Sequence, residues 1–200
     1  MTLDVSAASR AAALSAALGE LAREISRSVV VVRGGPGSSG SGVVWDRPGL
    51  VITNHHVVPG PVAQVVLADG QRYAARVSLR APELDLVALE LSPDPGLALA
   101  RIGDSERLRP GDLVLAVGNP MAERNAAALG IVSSPGSDVL RLAINLRPGN
   151  SGGALANASA EIVGIPHMVT GRGLALAVPS HVVQRFLLGE QAASEQLDWL

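Results

Sequence analysis

Apolar residues along this chain fall into short Val-, Leu- and Ala-rich runs, broken at close intervals by Gly, Pro, Asp and Ser. Runs of that length bounded by turn residues read as β-strands. They occupy 28–33, 42–45, 50–53, 62–67, 73–79 and 85–91. A loose Pro/Gly stretch at 92–96 and a charged connector at 98–110 follow, and further runs occupy 112–118, 129–133, 139–144, 153–156, 161–169 and 173–178. No amphipathic helix separates successive strands, which predicts antiparallel barrels or sandwiches and argues against a parallel α/β sheet. The period changes only near the two ends. Leu14, Leu18, Leu21 and Ile25 recur at helical spacing, with Arg10, Glu20, Arg23, Glu24 and Arg27 on the remaining surface, so 6–28 reads as an amphipathic helix. Its Leu stripe is expected to pack on the body of the protein; the alternative is self-association. Pro179 is well placed to start a second helix over 180–188.

Composition removes several classes of function. Hydrophobic residues make up 48% of the 200 and charged residues 17%, which excludes a disordered tail or a basic nucleic-acid arm. The net charge is −2 and every one of the 16 basic residues is Arg, so a P-loop lysine and a Schiff-base lysine are ruled out. With no Cys, thiol catalysis, Cys-bound zinc and disulfides go too. Aromatics at 2% are too few for a base-stacking platform, so no nucleic-acid partner is expected. No apolar run approaches the ~18 residues of a membrane span. Met1-Thr2-Leu3-Asp4 places an acid where an export signal carries Lys or Arg, which makes the cytoplasm the default location. The absence of Lys beside abundant Ala, Arg and Gly suggests a GC-rich bacterial source.

Candidate chemistry centres on Gly149-Asn150-Ser151-Gly152-Gly153. Glycines on both sides of a serine allow a tight turn that exposes the hydroxyl and aims neighbouring N–H groups at one point, as an oxyanion hole requires. Four histidines are present, at 55, 56, 167 and 181. One pair, in Thr53-Asn54-His55-His56-Val57-Val58, stands at a strand end, and Asp85 opens the apolar run Leu86-Val87-Ala88-Leu89. With Ser151 these supply base, orienting acid and nucleophile, in the chain order His, Asp, Ser. The Gly-x-Ser-x-Gly spacing also fits the nucleophile elbow of α/β-hydrolases, but that class needs a helix after the serine and its histidine last. Here a strand-like Ala154-Leu155-Ala156 follows, and the elbow reading fails.

The sequence resembles trypsin-like serine proteases of the chymotrypsin fold, and within them the bacterial HtrA/Deg group. The resemblance is carried by Gly40-Ser41-Gly42-Val43-Val44, the Thr53-to-Val58 segment, Asp85-Leu86-Val87-Ala88-Leu89, Val117-Gly118-Asn119-Pro120, Gly130-Ile131-Val132-Ser133, Pro148 to Leu155 and Ala175 to Ser180. In that family the catalytic histidine directly precedes the Val-Val pair, which selects His56. The resemblance implies an all-β fold of two six-stranded antiparallel barrels with helices at either end. The implied organisation is an N-terminal helix at 1–27, a protease domain at 28–186 and a tail at 187–200, the barrels lying at 28–97 and 110–178. It implies a triad of His56, Asp85 and Ser151, and an oxyanion hole from the N–H groups of Gly149 and Ser151. It implies unfolded or misfolded polypeptides as substrates, with no metal or cofactor. An S1 pocket walled by Asn145 and Leu146, by Ile165-Pro166-His167 and by Gly173-Leu174-Ala175 follows from the family's topology. No acid lies at its base, so a small or medium aliphatic residue is expected at P1.

Family analogy also implies a homotrimer and allows an extracytoplasmic location, although low aromatic content offers no obvious trimer contacts. Ala143 stands where many relatives have Asp, and Arg147 where they have Asn. Asn150 replaces the Asp by which digestive trypsins hold a freed N-terminus, so activation by clipping is not expected. The PDZ domains of many HtrA proteins are absent from this chain. The alternative to an active enzyme is a latent protease-fold module that binds extended peptides or a protein partner. His167 is expected to be structural rather than a substrate contact, and His181 a surface residue at a helix start.

Overall fold

In a computed structural model, residues 5–67, 69–92, 96–119, 125–170 and 174–189 are described. Among them, each apolar run becomes a strand: β1 (Val29–Gly35), β2 (Ser38–Val44), β3 (Leu50–Asn54), β4 (Val62–Val66), β5 (Arg72–Ala81) and β6 (Leu86–Leu91) come first. β7 (Leu113–Gly118), β8 (Ala126–Ser134), β9 (Leu140–Ala143), β10 (Ala154–Asn157), β11 (Ile162–Thr170) and β12 (Leu174–Pro179) follow. All pairings within the two sheets are antiparallel. They close into two barrels, ordered β1-β2-β3-β6-β5-β4 and β7-β8-β9-β12-β11-β10, so both halves share one connectivity without a visible sequence repeat. Closure leaves no unpaired sheet edge, which protects a β-protein from edge-to-edge association.

Three buried clusters explain why the central strands read as continuous apolar runs. Val51, Val87 and Leu89 fill the first barrel, and Val114, Ala116 and Leu142 the second. The opposite faces of the same strands, with Leu50 and Ile52 from β3, Leu86 and Ala88 from β6, and Leu115 and Val117 from β7, meet in a third cluster between the barrels. Trp45 and Ile165 join that interface, and it is closed at one end by Val182, Val183 and Phe186 of α2 (Ser180–Leu187). Burying one such aliphatic side chain contributes about 1.5–3 kcal/mol, so the interface is a third core, shared by both barrels.

Several expectations from the sequence change here. The helix predicted over 6–28 spans Val5–Ser26 (α1), and only its C-terminal part packs: Ile25 is buried, Leu21 and Ala22 rest on the inter-barrel cluster, and Leu14 is 57% exposed. β2 starts four residues before the predicted 42, because Ser38 and Ser39 pair with Gly35 and Arg33 through backbone groups that carry no apolar signal. His181 is not an idle surface residue. Its Nδ1 lies 2.8 Å from Ser105 Oγ and its Nε2 2.6 Å from the Ser137 carbonyl, which ties α2 to the connector and to the β8–β9 turn. Of the predicted tail at 187–200, residues 190–200 lie outside the described part. So do Met1-Thr2-Leu3-Asp4, Pro120 and Gly173.

Candidate active site

β3 ends at Asn54, and the chain turns through a single 3-10 turn, His55–Val57, whose position is set by one residue just before the neighbouring strand β6. Asp85 caps another 3-10 turn, Pro82–Leu84, in the left-handed region at φ 52°, a conformation that Asp tolerates better than most side chains. From there its carbonyl accepts hydrogen bonds from the Asn54 amide (2.9 Å) and the His55 N–H (3.0 Å). Its carboxylate accepts the His56 N–H at Oδ1 (3.0 Å) and faces His56 Nδ1 at Oδ2 (2.8 Å). An ionised carboxylate only accepts, so Nδ1 carries the proton and Nε2 is left as a free lone pair. Arg80 of β5 braces the same loop, donating to His55 Nδ1 (2.6 Å) and to the carbonyls of Val58 and Gly60 (both 2.7 Å).

Ser151 arrives from the other barrel, on the turn between β9 and β10. Ser41 of β2 is the tie. Its N–H donates to the Ser151 carbonyl (2.9 Å), its hydroxyl to the Gly149 carbonyl (2.7 Å), and its own carbonyl accepts from Thr53 Oγ1 (2.7 Å). The Asn119 N–H completes the cluster by donating to Ser41 Oγ (2.8 Å). Gly152, at φ 78°, lies so close that a Cβ there would collide with Ser41 O and Thr53 Oγ1, two residues before His55. Only glycine permits that approach. The N–H groups of Gly149 and Ser151 have no acceptor among the described residues, and Ser151 Oγ makes no hydrogen bond to them.

A model of the trypsin-like peptidase domain matches residues 40–165, which include the His56, Asp85 and Ser151 segments and most of both barrels. The chain belongs to the trypsin-like peptidase family. It is 34% identical over 165 residues to serine protease HTRA4 of Mus musculus and 33% identical over 171 residues to serine protease HTRA3 of Homo sapiens, each match covering 76% of this chain. It is 36% identical over 159 residues, 72% of the chain, to a probable periplasmic serine endoprotease DegP-like of Marinomonas sp. (strain MWYL1). These matches cover 34%, 38% and 34% of the three relatives, so the peptidase spans about a third of their length.

Beside Ser151 the peptidase has a cavity of about 380 Å³ lined by Leu146, Arg147, Pro148, Asn150, Pro166 and His167. Of the residues expected around S1, Leu146 and His167 line it. Ile165 is fully buried in the inter-barrel cluster, and its neighbour Pro166 takes the place at the wall. Asn145 lines a separate cavity of about 440 Å³ with Ala126, Arg147 and Asn150. Leu174, at the start of β12, is 38% exposed and is not among the residues lining either cavity.

Electrostatics favour an ionised acid beside a base. Burial opposes ionisation of Asp85, but the imidazoles of His167 and His56 and the His56 N–H outweigh it and hold the carboxyl well below its usual range. The hydrogen bond to Asp85 raises His56 above its ordinary 6.5, more than partial burial lowers it. Among the described residues no cluster of three side chains is arranged to hold a metal ion. The sequence placed Ser41 and Asn119 in motifs that carry the family resemblance but gave neither a structural role, and it did not single out Arg80. The one signal for Ser41 was a polar residue between two glycines at a strand start, and Arg80 gave none.

Proposed function

We propose that this peptidase is a serine endopeptidase that cleaves polypeptides through Ser151, His56 and Asp85. The observation that carries the reading is the hydrogen-bonded His56–Asp85 pair on one barrel, with the Ser151 turn tied to the same strand end through Ser41. Ser151 Oγ attacks the scissile carbonyl carbon while His56 Nε2 takes its proton, and Asp85 steadies the imidazolium so formed. Negative charge collects on the carbonyl oxygen, where the N–H groups of Gly149 and Ser151, which have no acceptor among the described residues, receive it; one such donor contributes about 3 kcal/mol. His56 then protonates the leaving amine, and water repeats the sequence on the acyl-enzyme. The resemblance to the HtrA group supports unfolded or misfolded chains as the substrate class.

Because Asp85 raises His56 above 6.5, kcat/KM is expected to fall on the acid side with a midpoint above pH 6.5, measurable on any cleaved peptide. The same pair affects stability with the opposite sign at its two ends. Asp85, depressed in the fold, contributes above about pH 4 and loses its contribution as pH drops. His56, raised in the fold, contributes most below about pH 6.5 and less as pH climbs through its folded value. Leu146 and Pro166 give the cavity beside Ser151 an apolar wall with no acid, so a peptide-library profile is expected to favour small or medium aliphatic residues at P1. A profile led by Arg or aromatic residues would reject that assignment.

The deciding experiment is labelling with a fluorophosphonate, located by peptide mass spectrometry, with Ser151→Ala as control. Modification at Ser151 supports the enzyme. A folded protein that resists labelling supports the second reading, a latent module that binds extended peptides.

A further inference from the structure

Side chains alternate between the two faces of a strand, and on β5 that alternation is reset once. Val77 pairs with Leu89 of β6, the register shifts before Leu79, which pairs with Ala88, and Arg80 then pairs with Val87. Val87 and Leu89 both point into the core of the first barrel, and cross-strand partners share a face. The bulge at Ser78 therefore turns Arg80 away from the outer face, where Arg72, Ala74 and Arg76 stand exposed. It brings the side chain to the inner side near the end of β5, where Val57 and Val58 cover the barrel core. Without the bulge, the alternation from Val77 would send residue 80 outward.

What the guanidinium meets there is the loop that carries His56. Nη1 donates to His55 Nδ1 (2.6 Å) and to the Val58 carbonyl (2.7 Å), and Nη2 donates to the Gly60 carbonyl (2.7 Å). A guanidinium only donates, so His55 Nδ1 holds a lone pair and the ring proton lies on Nε2, the reverse of His56 beside it. Among the described residues no carboxylate is paired with Arg80. Both terminal nitrogens are spent on uncharged groups of one short loop, one of them before His56 and two after it. On the same strand the Val77 N–H donates to the Pro61 carbonyl (3.0 Å), which fastens the next residue of that loop. Asp85 holds the entry to the turn through the His55 and His56 N–H groups, and Arg80 closes it on the far side.

We propose that Arg80 is a positioning residue for the reaction: its guanidinium clamps His55, Val58 and Gly60 together and so holds the turn between them in the shape that presents His56 to the Ser151 side of the cleft. The proposal rests on the reading of His56 as the base. The clamp touches neither substrate nor the reacting atoms, so its loss slows the chemical step and leaves binding in the cleft unchanged. A displacement of about 1 Å in a reacting group is enough to cost about 10²-fold.

The test is saturation kinetics of fluorophosphonate labelling at Ser151 in the full chain, which separate the maximal rate from the half-saturating probe concentration, with thermal melts to establish folding. Arg80→Met keeps the aliphatic stem and removes every donor. It is expected to lower the maximal rate by about tenfold or more and to leave the half-saturating concentration where it was. Arg80→Lys keeps a cation with three donors and is expected to recover most of the rate. His55→Ala removes one arm of the clamp: its loss is expected to be smaller, and to vanish in the Arg80→Met background because both act through one contact. Should the Met variant fail to fold, Arg80→Gln, whose shorter amide falls short of the loop, takes its place with the same expected loss. A folded Met or Gln variant with the parent's maximal rate overturns the proposal alone. So does a loss that falls on the half-saturating concentration, a Lys variant no faster than the Met or Gln variant, or a His55→Ala loss that adds in full. A parent protein that folds but is not labelled at Ser151 overturns the reading of the triad, and the proposal with it.

Discussion

Ser151→Ala is expected to lower hydrolysis by roughly 10⁶-fold while leaving the fold unchanged. The separation of the two effects follows from how Ser151 is held. Its structural work is done by the backbone, whose carbonyl accepts the Ser41 N–H at 2.9 Å, and the hydroxyl makes no hydrogen bond to the described residues. Alanine keeps the carbonyl, the flanking glycines and the two free N–H groups, so about 10³–10⁴-fold acceleration over water is expected to remain from charge stabilisation and binding. Hydrolysis of an extended peptide, set beside a thermal melt, checks both halves. A variant that still turns over at more than about 1% of the parent rate would remove Ser151 from the chemistry.

Asp85→Asn is expected to cost roughly 10⁴-fold in kcat. The backbone there is left-handed at φ 52°, which Asn accepts as readily as Asp, so the turn before β6 survives. The amide oxygen keeps the His56 N–H that Oδ1 accepts now, which leaves the amide nitrogen facing His56 Nδ1. A donor in that place forces the imidazole proton onto Nε2, and the base is then blocked by its own hydrogen. Measurement of kcat near neutral pH tests this. A loss of less than tenfold would mean that Asp85 does not set the tautomer.

The architecture was legible because the strands that matter are buried on both faces. β3 and β6 send alternate residues into the first barrel and into the inter-barrel cluster, so they stand out as unbroken apolar runs with no need for periodicity. The Ser-rich start of β2 is held by backbone pairing alone and left no such trace. The exposed half of α1 misled for a different reason: Leu14 keeps the spacing of Leu21 and Ile25, but the helix extends past the surface that covers them. His56, Asp85 and Ser151 could be read from local motifs. The contact of His167 with Asp85 could not, because it depends on a bulge that adds one residue to β11 and is not encoded in any local spacing. The same bulge explains why Pro166, and not Ile165, borders the cavity beside Ser151.

The site is divided: His56 and Asp85 belong to the first barrel and Ser151 to the second, and the hydrogen bonds of Ser41 and the packing around Trp45 form only when the barrels meet. A chain that has completed one barrel therefore carries no working nucleophile. If Ser151, His56 and Asp85 form the triad proposed above, the protein is expected to be inert towards itself during its own maturation, and a half-folded copy to be vulnerable only to a finished neighbour. Self-digestion is then a matter of encounters between molecules, and its rate grows with the product of mature and immature concentrations.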